Sequence, residues 1–94
     1  MSEKYVHVAE FRRSFEKEVE KLDKEIRDRV FEKISQLLKG SHIGEPLKGE
    51  LRYYKKVRIG KYRLIYSDKE KCKIVLVKFS HRETVYDEMN RSSN

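Results

Sequence analysis

The chain has 94 residues, of which 41% are charged and 37% hydrophobic, and its formal net charge is +7. This length suits one domain with a modest core, and the single cysteine, Cys72, excludes an internal disulfide bond and fits a reducing compartment. Because no signal peptide and no apolar run of roughly 20 residues is present, we expect one cytoplasmic domain over residues 1–94, without a membrane partner.

The N-terminal part of the chain changes from a strand pattern to a helix pattern. Residues 4–8 (KYVHV) alternate in the way of a short strand, at a sheet edge or paired with a later strand. Apolar residues then recur at helical spacing over residues 10–22 and, after an N-cap at Asp23, over residues 26–38. Two helices with so short a linker must fold back on each other, so we predict an antiparallel helical hairpin at about residues 10–39.

Three strand-like runs follow an irregular connection over residues 40–50. They cover residues 51–59, 62–67 and 72–79, and Gly60-Lys61 makes a tight turn between the first two. Alternation in the first run predicts a packing face of Leu51, Tyr53, Val57 and Ile59 and an opposite face of Arg52, Tyr54, Lys56 and Arg58.

These elements predict an α+β fold. A short N-terminal strand and the helical hairpin pack on one face of a twisted, mainly antiparallel sheet of about four strands, which occupies about residues 50–80. The other face of the sheet stays at least partly open. We expect residues 81–94 to form a C-terminal tail with a frayed end.

The positive charge is concentrated in one stretch, residues 48–63. One acid, Glu50, stands there among seven basic residues: Lys48, Arg52, Lys55, Lys56, Arg58, Lys61 and Arg63. The rest of the chain is nearly balanced, with ten basic and ten acidic residues over 1–47 and six and five over 64–94. Tyrosines among cations are what RNA-binding proteins use to stack bases between phosphate contacts. The stretch therefore indicates a polyanion site, with a solvated charged strand pair as the alternative.

The available side chains exclude several kinds of site. The three histidines (His7, His42, His81) lie far apart in sequence, and no zinc spacing or glycine-rich phosphate loop is present. We therefore expect no metal and no small-molecule cofactor. Arginine, lysine, tyrosine and histidine suit RNA cleavage by the substrate's own 2′-hydroxyl, because the protein then only holds the phosphate, neutralises charge and moves protons. The same residues suit simple phosphate binding, so both readings stay open.

Three features together resemble the RelE/ParE superfamily of bacterial and archaeal toxin–antitoxin modules, and most closely its RelE-type members. They are the block PLKGELRYYKKVRIGKYRLIY (46–66), the block SHRETVY (80–86) and the helical hairpin before them. The resemblance implies a RelE-like fold and a toxin that enters the ribosomal A site, cuts mRNA there as an endoribonuclease and so inhibits translation. It also implies a RelB-type antitoxin, encoded nearby, that wraps around the toxin.

Position within these blocks implies five catalytic residues. Arg63 matches the arginine of RelE-type toxins that contacts the scissile phosphate. Arg82 matches the second catalytic arginine of these toxins, which is associated with the phosphate and the leaving group. Lys56 matches a strand lysine that activates the 2′-hydroxyl or stabilises charge, and Tyr86 matches a tyrosine that stacks on or orients the base. His81 stands where relatives have a histidine or a lysine.

The general base stays open among Lys56, Tyr86 and His81, because the best-studied RelE pattern has two lysines where this chain has Tyr54 and Lys56. The remaining residues that we predict to bind RNA are Lys48, Arg52, Tyr54, Lys55, Arg58 and Lys61.

Two alternative functions remain beside the nuclease. One is a ParE-like toxin that inhibits DNA gyrase, and the other is a relative that binds RNA or the ribosome without cutting.

Overall fold

The structure is a computed structural model that describes residues 6–92. Within this range the chain forms β1 (Val8–Phe11), α1 (Arg13–Glu20), α2 (Lys24–Leu38), β2 (Glu45–Pro46), a 3₁₀ turn (Gly49–Leu51), β3 (Lys55–Ile59), β4 (Tyr62–Ser67), β5 (Lys73–His81) and α3 (Val85–Ser92). None of these helices is long and apolar enough to cross a membrane.

The strands form one sheet in the order β1-β5-β4-β3-β2. β1 pairs with β5 in parallel, and the other neighbours are antiparallel. The predicted α+β class with a mainly antiparallel sheet is confirmed, with five strands in the described residues where we expected about four. The N-terminal strand lies later than predicted, at Val8–Phe11, and residues 4 and 5 of the predicted strand lie outside the described residues.

The helical hairpin packs on one face of the sheet, as its spacing predicts. Phe15 and Val19 of α1 are buried, and Asp23 caps α2 by accepting a hydrogen bond from the Ile26 backbone N–H at 3.1 Å. The hairpin begins at Arg13, because residues 10 and 11 belong to β1. The other buried residues of this core are Val30, Ile34, Leu37, Val57, Ile59, Leu64, Tyr66, Ile74, Leu76 and Phe79.

The second face of the sheet carries a smaller core under α3. Val85 and Met89 of this helix are buried together with Leu47, Leu51 and Ile65. The segment that we expected to be a C-terminal tail contains a helix, which begins at Val85. Two apolar side chains one helical turn apart are enough to dock a short helix on a sheet that presents apolar partners.

The predicted strand over residues 51–59 is also wrong at its start. A 3₁₀ turn occupies Gly49–Leu51, and β3 begins only at Lys55. Strand alternation therefore does not apply to residues 51–54. Leu51 is buried in the second core, Tyr54 packs against that core, and Tyr53 is 58% exposed instead of packing against the hairpin.

A polar cluster fixes α3 to β5. Glu88 accepts hydrogen bonds from Lys78 Nζ and Ser80 Oγ, both at 2.9 Å to its Oε2 atom. Burial alone would raise the pKa of Glu88, but the hydrogen bonds from Lys78, Ser80 and Thr84 outweigh it and lower the pKa below its ordinary value. The ionised carboxylate is thus the form that holds the helix.

Candidate active site

A cavity of about 670 Å³ opens on the second face of the sheet, between β3, the 3₁₀ turn and α3. Three strand or loop cations and one tyrosine face it together with two acids. We name it the basic groove, and its lining residues are Glu45, Pro46, Leu47, Lys48, Glu50, Leu51, Lys56, Arg58 and Tyr86.

Lys56 and Tyr86 form a contact pair inside the basic groove. Lys56 Nζ donates a hydrogen bond to Tyr86 Oη at 3.0 Å and lies 5.6 Å from the centroid of the tyrosine ring. Lys56 comes from β3, and Tyr86 follows the buried Val85 at the start of α3. Docking of α3 therefore places a hydroxyl and an ammonium group, both able to transfer a proton, against one opening.

Arg58 lies on β3 two residues beyond Lys56, on the same face of the sheet. Its Nη2 atom lies 3.6 Å from Glu45 Oε2, and both side chains are 60% exposed. An ion pair this exposed contributes little and gives way easily. Arg58 therefore remains available to an incoming phosphate.

Arg63 and Arg82 each make a hydrogen bond to the backbone of the β3–β4 turn. Arg63 is the cross-strand partner of Arg58, and its Nη1 atom donates hydrogen bonds to the carbonyls of Tyr62 at 2.8 Å and Gly60 at 3.1 Å. The Arg82 backbone N–H donates to the Lys61 carbonyl at 2.8 Å, which ties the end of β5 to the same turn. The Arg82 side chain is exposed.

His81 lies on the opposite face of the sheet from the basic groove. It pairs with Tyr62 in the β4–β5 ladder, and its ring meets the Tyr62 ring edge-on with 6.0 Å between centroids. Its Nδ1 atom accepts a hydrogen bond from the Glu83 backbone N–H at 3.2 Å. The imidazole therefore supports the turn that carries Arg82 and does not face Lys56.

The predicted RNA-binding residues divide between several places. Lys48 and Arg58 line the basic groove, and Lys61 lies in the β3–β4 turn with its Nζ atom 5.8 Å from the Tyr62 ring centroid. Lys55 faces the hairpin side, where its Nζ atom forms an ion pair with Asp68 at 2.6 Å. Arg52 and Tyr54 do not line the groove, because the 3₁₀ turn moves them away from the face that strand alternation predicts.

Two features of the groove are missing from the sequence prediction. Its outer wall is β2, whose Glu45 and Pro46 pair with Lys56 and Lys55 of β3, and nothing in the local sequence marks these two residues as a strand. Its floor includes Leu47 and Leu51, buried under α3. Among residues 6–92, no cluster of His, Cys, Asp or Glu side chains is suited to hold a metal ion.

Solved structures of toxins share this architecture. The isolated RelE toxin of E. coli matches with a TM-score of 0.69 at 23% identity, over 94% of this chain and 99% of that one. The RelB–RelE antitoxin–toxin complex of Methanococcus jannaschii matches with a TM-score of 0.67 at 23% identity, over 84% of this chain and 96% of that one. The toxin–antitoxin complex RelBE2 of Mycobacterium tuberculosis matches with a TM-score of 0.58 at 25% identity, over 81% of this chain and 98% of that one. The fold is that of RelE-type toxins.

The sequence itself defines the family. Residues 9–86 match the family model described as the ParE toxin of the type II toxin–antitoxin system parDE. The chain therefore belongs to the ParE toxin family of type II toxin–antitoxin systems, and the resemblance to the RelE/ParE superfamily is confirmed. No curated protein has a significantly similar sequence.

Proposed function

We propose that this toxin is a ribosome-dependent endoribonuclease that cuts mRNA in the A site and thereby inhibits translation. The observation that carries the proposal is the Lys56–Tyr86 pair, with 3.0 Å between Nζ and Oη, in a cationic groove. Arg63 is the cross-strand partner of Arg58, which lines that groove. A site that only binds phosphate needs cations. A hydroxyl held against an ammonium group adds the means to move a proton at the bound phosphate.

In the proposed step the 2′-hydroxyl oxygen of the substrate attacks the adjacent phosphorus atom. The Lys56–Tyr86 pair first loses one proton to solvent and then takes the proton of the 2′-hydroxyl group. The bond from phosphorus to the 5′ oxygen breaks, and that oxygen takes a proton from solvent. The products are a 2′,3′-cyclic phosphate and a 5′-hydroxyl end. Guanidinium groups of Arg63 and Arg82 neutralise the charge that grows on the phosphate oxygens, since they stay protonated and match phosphate geometry.

Arg63 has to leave its present partners to take this role. Its two hydrogen bonds go to backbone carbonyls of the β3–β4 turn, which hold the guanidinium near the groove without neutralising its charge. His81 we propose as a positioning residue, because its Nδ1 atom braces the turn that carries Arg82. The proton transfer then belongs to Lys56 and Tyr86.

Cleavage of ribosome-bound mRNA tests the proposal. We expect Arg63→Ala and Arg82→Ala each to slow cutting on the order of 10²–10³-fold, because each removes one contact to the transition state. Tyr86→Phe, which keeps the ring and removes the hydroxyl, should lower the rate more than it weakens binding. Arg27→Ala, on the exposed surface of α2, is the matched control and should cut like the wild type.

Mapping the 5′ ends of mRNA after induction in cells shows where the cuts fall. We expect ends clustered inside translated codons, and none when the arginine variants are induced. Full activity of both arginine variants would show that these residues are not part of the active site. Intact mRNA during growth arrest would contradict the nuclease activity itself.

Gyrase inhibition is the second candidate function, because the matching family model is that of the ParE toxin. The two activities separate cleanly in purified systems. Loss of gyrase supercoiling activity with the protein present, together with intact ribosome-bound mRNA, would favour this alternative. We rank it second because the groove combines cations with the Lys56–Tyr86 pair.

We further propose that a RelB-type antitoxin neutralises this toxin. The structural relatives from Methanococcus jannaschii and Mycobacterium tuberculosis are complexes with such a partner. Coexpression with the neighbouring small open reading frame should relieve growth arrest. Arrest that persists while the two proteins form a stable complex would contradict neutralisation by binding.

A further inference from the structure

We propose that a second RNA subsite, centred on the exposed ring of Tyr53, lies beyond the basic groove on the same sheet face. It stacks a base of single-stranded RNA whose neighbouring nucleotides occupy the groove. The inference rests on the proposed function, since it assigns a path to the same RNA. It also gives a role to a side chain that strand alternation had placed in the core.

The Tyr53 ring is presented to solvent with cations beside it. The side chain is 58% exposed, the Cζ atom of Arg52 lies 4.7 Å from the ring centroid, and Lys69 Nζ lies 5.9 Å from it. An aromatic ring beside cations is the usual platform on which a base stacks while its phosphates meet the charges. We call these three residues the Tyr53 platform.

The Tyr53 platform is held in place before anything binds. Arg52 Nη2 donates to Tyr53 Oη at 3.1 Å, and its Nη1 atom donates to the Gly49 carbonyl at 3.4 Å. The backbone of the turn is closed by hydrogen bonds from Tyr54 N to the Leu51 carbonyl and from Leu47 N to the Tyr54 carbonyl, both 2.9 Å. Pre-ordering of this kind lowers the entropic cost of binding.

A cavity of about 690 Å³ lies against the Tyr53 platform, and Arg12 contributes a further cation to its lining. Glu50 and Leu51 of the 3₁₀ turn line both this cavity and the basic groove. The turn is therefore the shared wall between the two openings. A single strand that leaves the groove over this turn reaches Tyr53 next.

The chemistry of the platform favours RNA over a protein segment. A helix that docks on a surface needs an apolar stripe to cover. Leu51, Val75 and Val77 line part of the cavity, but the platform itself offers a tyrosine ring and cations, with the Glu50 and Glu70 carboxylates in the same lining. A nucleotide uses all of these, because its base stacks, its amino groups donate to carboxylates and its phosphate pairs with cations.

Binding of uncleavable 2′-O-methyl RNA, measured by fluorescence anisotropy with the full chain, tests the subsite. For an RNA of about 12 nucleotides we expect Tyr53→Ala to raise Kd about 10-fold, as loss of one stacked base does, and Tyr53→Phe to change it less than about threefold. For an RNA of about 4 nucleotides, which we expect to bind in the groove without reaching Tyr53, Tyr53→Ala should have no effect. Lys69→Gln should weaken only the longer RNA.

Lys24→Gln removes a lysine on α2 that is 83% exposed and is the matched control for Lys69→Gln. Equal binding of the longer RNA by wild type and Tyr53→Ala would overturn the subsite, as would failure of the wild type to bind it at low salt. Weaker binding of the antitoxin by Tyr53→Ala with unchanged RNA binding would make the platform a protein contact instead. Cleavage of ribosome-bound mRNA by the wild type tests the proposed function separately, so either idea can fail alone.

Discussion

At the scale of single residues, Tyr66 and Gly44 fix the chain that leads into the wall of the basic groove. Tyr66 is buried at 2% exposure, and burial, with a smaller contribution from Asp68, raises its pKa to about 12. Its hydroxyl meets the backbone of Gly44, one residue before β2, and a Cβ atom at Gly44 would overlap that hydroxyl. The position therefore requires glycine for space.

Gly44→Ala should lower the free energy of unfolding by about 1–3 kcal/mol, because a methyl group is forced into a filled site. Adding Tyr66→Phe should recover part of this loss, since it removes the atom that the methyl group meets first. Gly49→Ala is the control. Its φ of +65° is strained for alanine, but nothing lies within 4 Å of the added atom, so Tyr66→Phe should not rescue it. Urea unfolding measures all four variants, and equal rescue of both alanine variants would contradict the overlap.

At the scale of elements, α3 is what turns an open sheet face into a groove. The helix brings Tyr86 to Lys56, and its own position depends on Val85, Met89 and the Glu88 cluster. Because the ionised form of Glu88 accepts the hydrogen bonds from Lys78 and Ser80, docking of the helix is linked to pH. The same linkage then applies to the assembly of the groove.

The sign of this linkage follows from the lowered pKa of Glu88. Its stabilisation is fully present above its ordinary pKa of 4.5, which applies in the unfolded chain, and is lost as pH falls through the lower pKa of the folded state. Glu88→Gln should cost about 1 kcal/mol at neutral pH, or roughly 4–8 °C in Tm, and should flatten the loss of stability below pH 4.5.

Thermal unfolding followed by circular dichroism between neutral and acid pH measures this dependence. Asp87→Asn, at an exposed neighbouring position on α3, is the control and should keep the acid slope of the wild type. An unchanged slope in Glu88→Gln would assign the acid sensitivity to other carboxylates.

The helical hairpin could be predicted because its signals are local. Phe15 and Val19 lie four residues apart on one helix face, and Asp23 is a standard capping residue three positions before the N–H that it caps. α3 could not be predicted in the same way. It has few apolar residues, and the partners that bury Val85 lie in the 3₁₀ turn region and in β4.

The site could be predicted only where its residues follow a local sequence pattern. Strand alternation correctly places Lys56 and Arg58 on one face, because β3 is regular there. It fails at Tyr53, because the 3₁₀ turn ends the regular alternation before that residue. His81, which only the resemblance implies as catalytic, lies on the hairpin face of the sheet. The catalytic assignments of Arg63, Arg82, Lys56, Tyr86 and His81 stay predictions until variants are measured.

At the scale of the whole molecule, the net positive charge is concentrated in one part of the chain. Residues 1–47, which include the helical hairpin, carry equal numbers of acidic and basic residues, whereas residues 48–63 carry seven basic residues and one acid. A polyanion is therefore attracted to the face on which this stretch places Lys48, Lys56 and Arg58, at the basic groove. Association driven by such a face depends on ionic strength, because phosphate contacts release counterions.

Binding of uncleavable RNA should weaken steeply with salt. If the three cations of the groove and Arg63 contact phosphates, the plot of log K against log salt concentration has a slope of about −3, and removal of one contact reduces it by about 0.7. Lys48→Gln should show this change, because Lys48 lines the groove. Lys17→Gln, an exposed lysine on α1, should leave the slope unchanged. A slope near zero would show that charge does not drive the binding.

The parallel pairing of β1 with β5 has a consequence for the order in which the toxin becomes active. Val8 at one end of the chain pairs with Lys73 near the other, and Ser14 of α1 donates to the Val77 carbonyl of β5 at 2.8 Å. Contacts this distant in sequence form late, and a growing polypeptide emerges from its N-terminus. A nascent chain thus exposes its basic stretch before β5, Arg82 and Tyr86 exist. Under the proposed function, the groove cannot form until the residues of α3 that complete it, Val85, Tyr86 and Met89, have been synthesised.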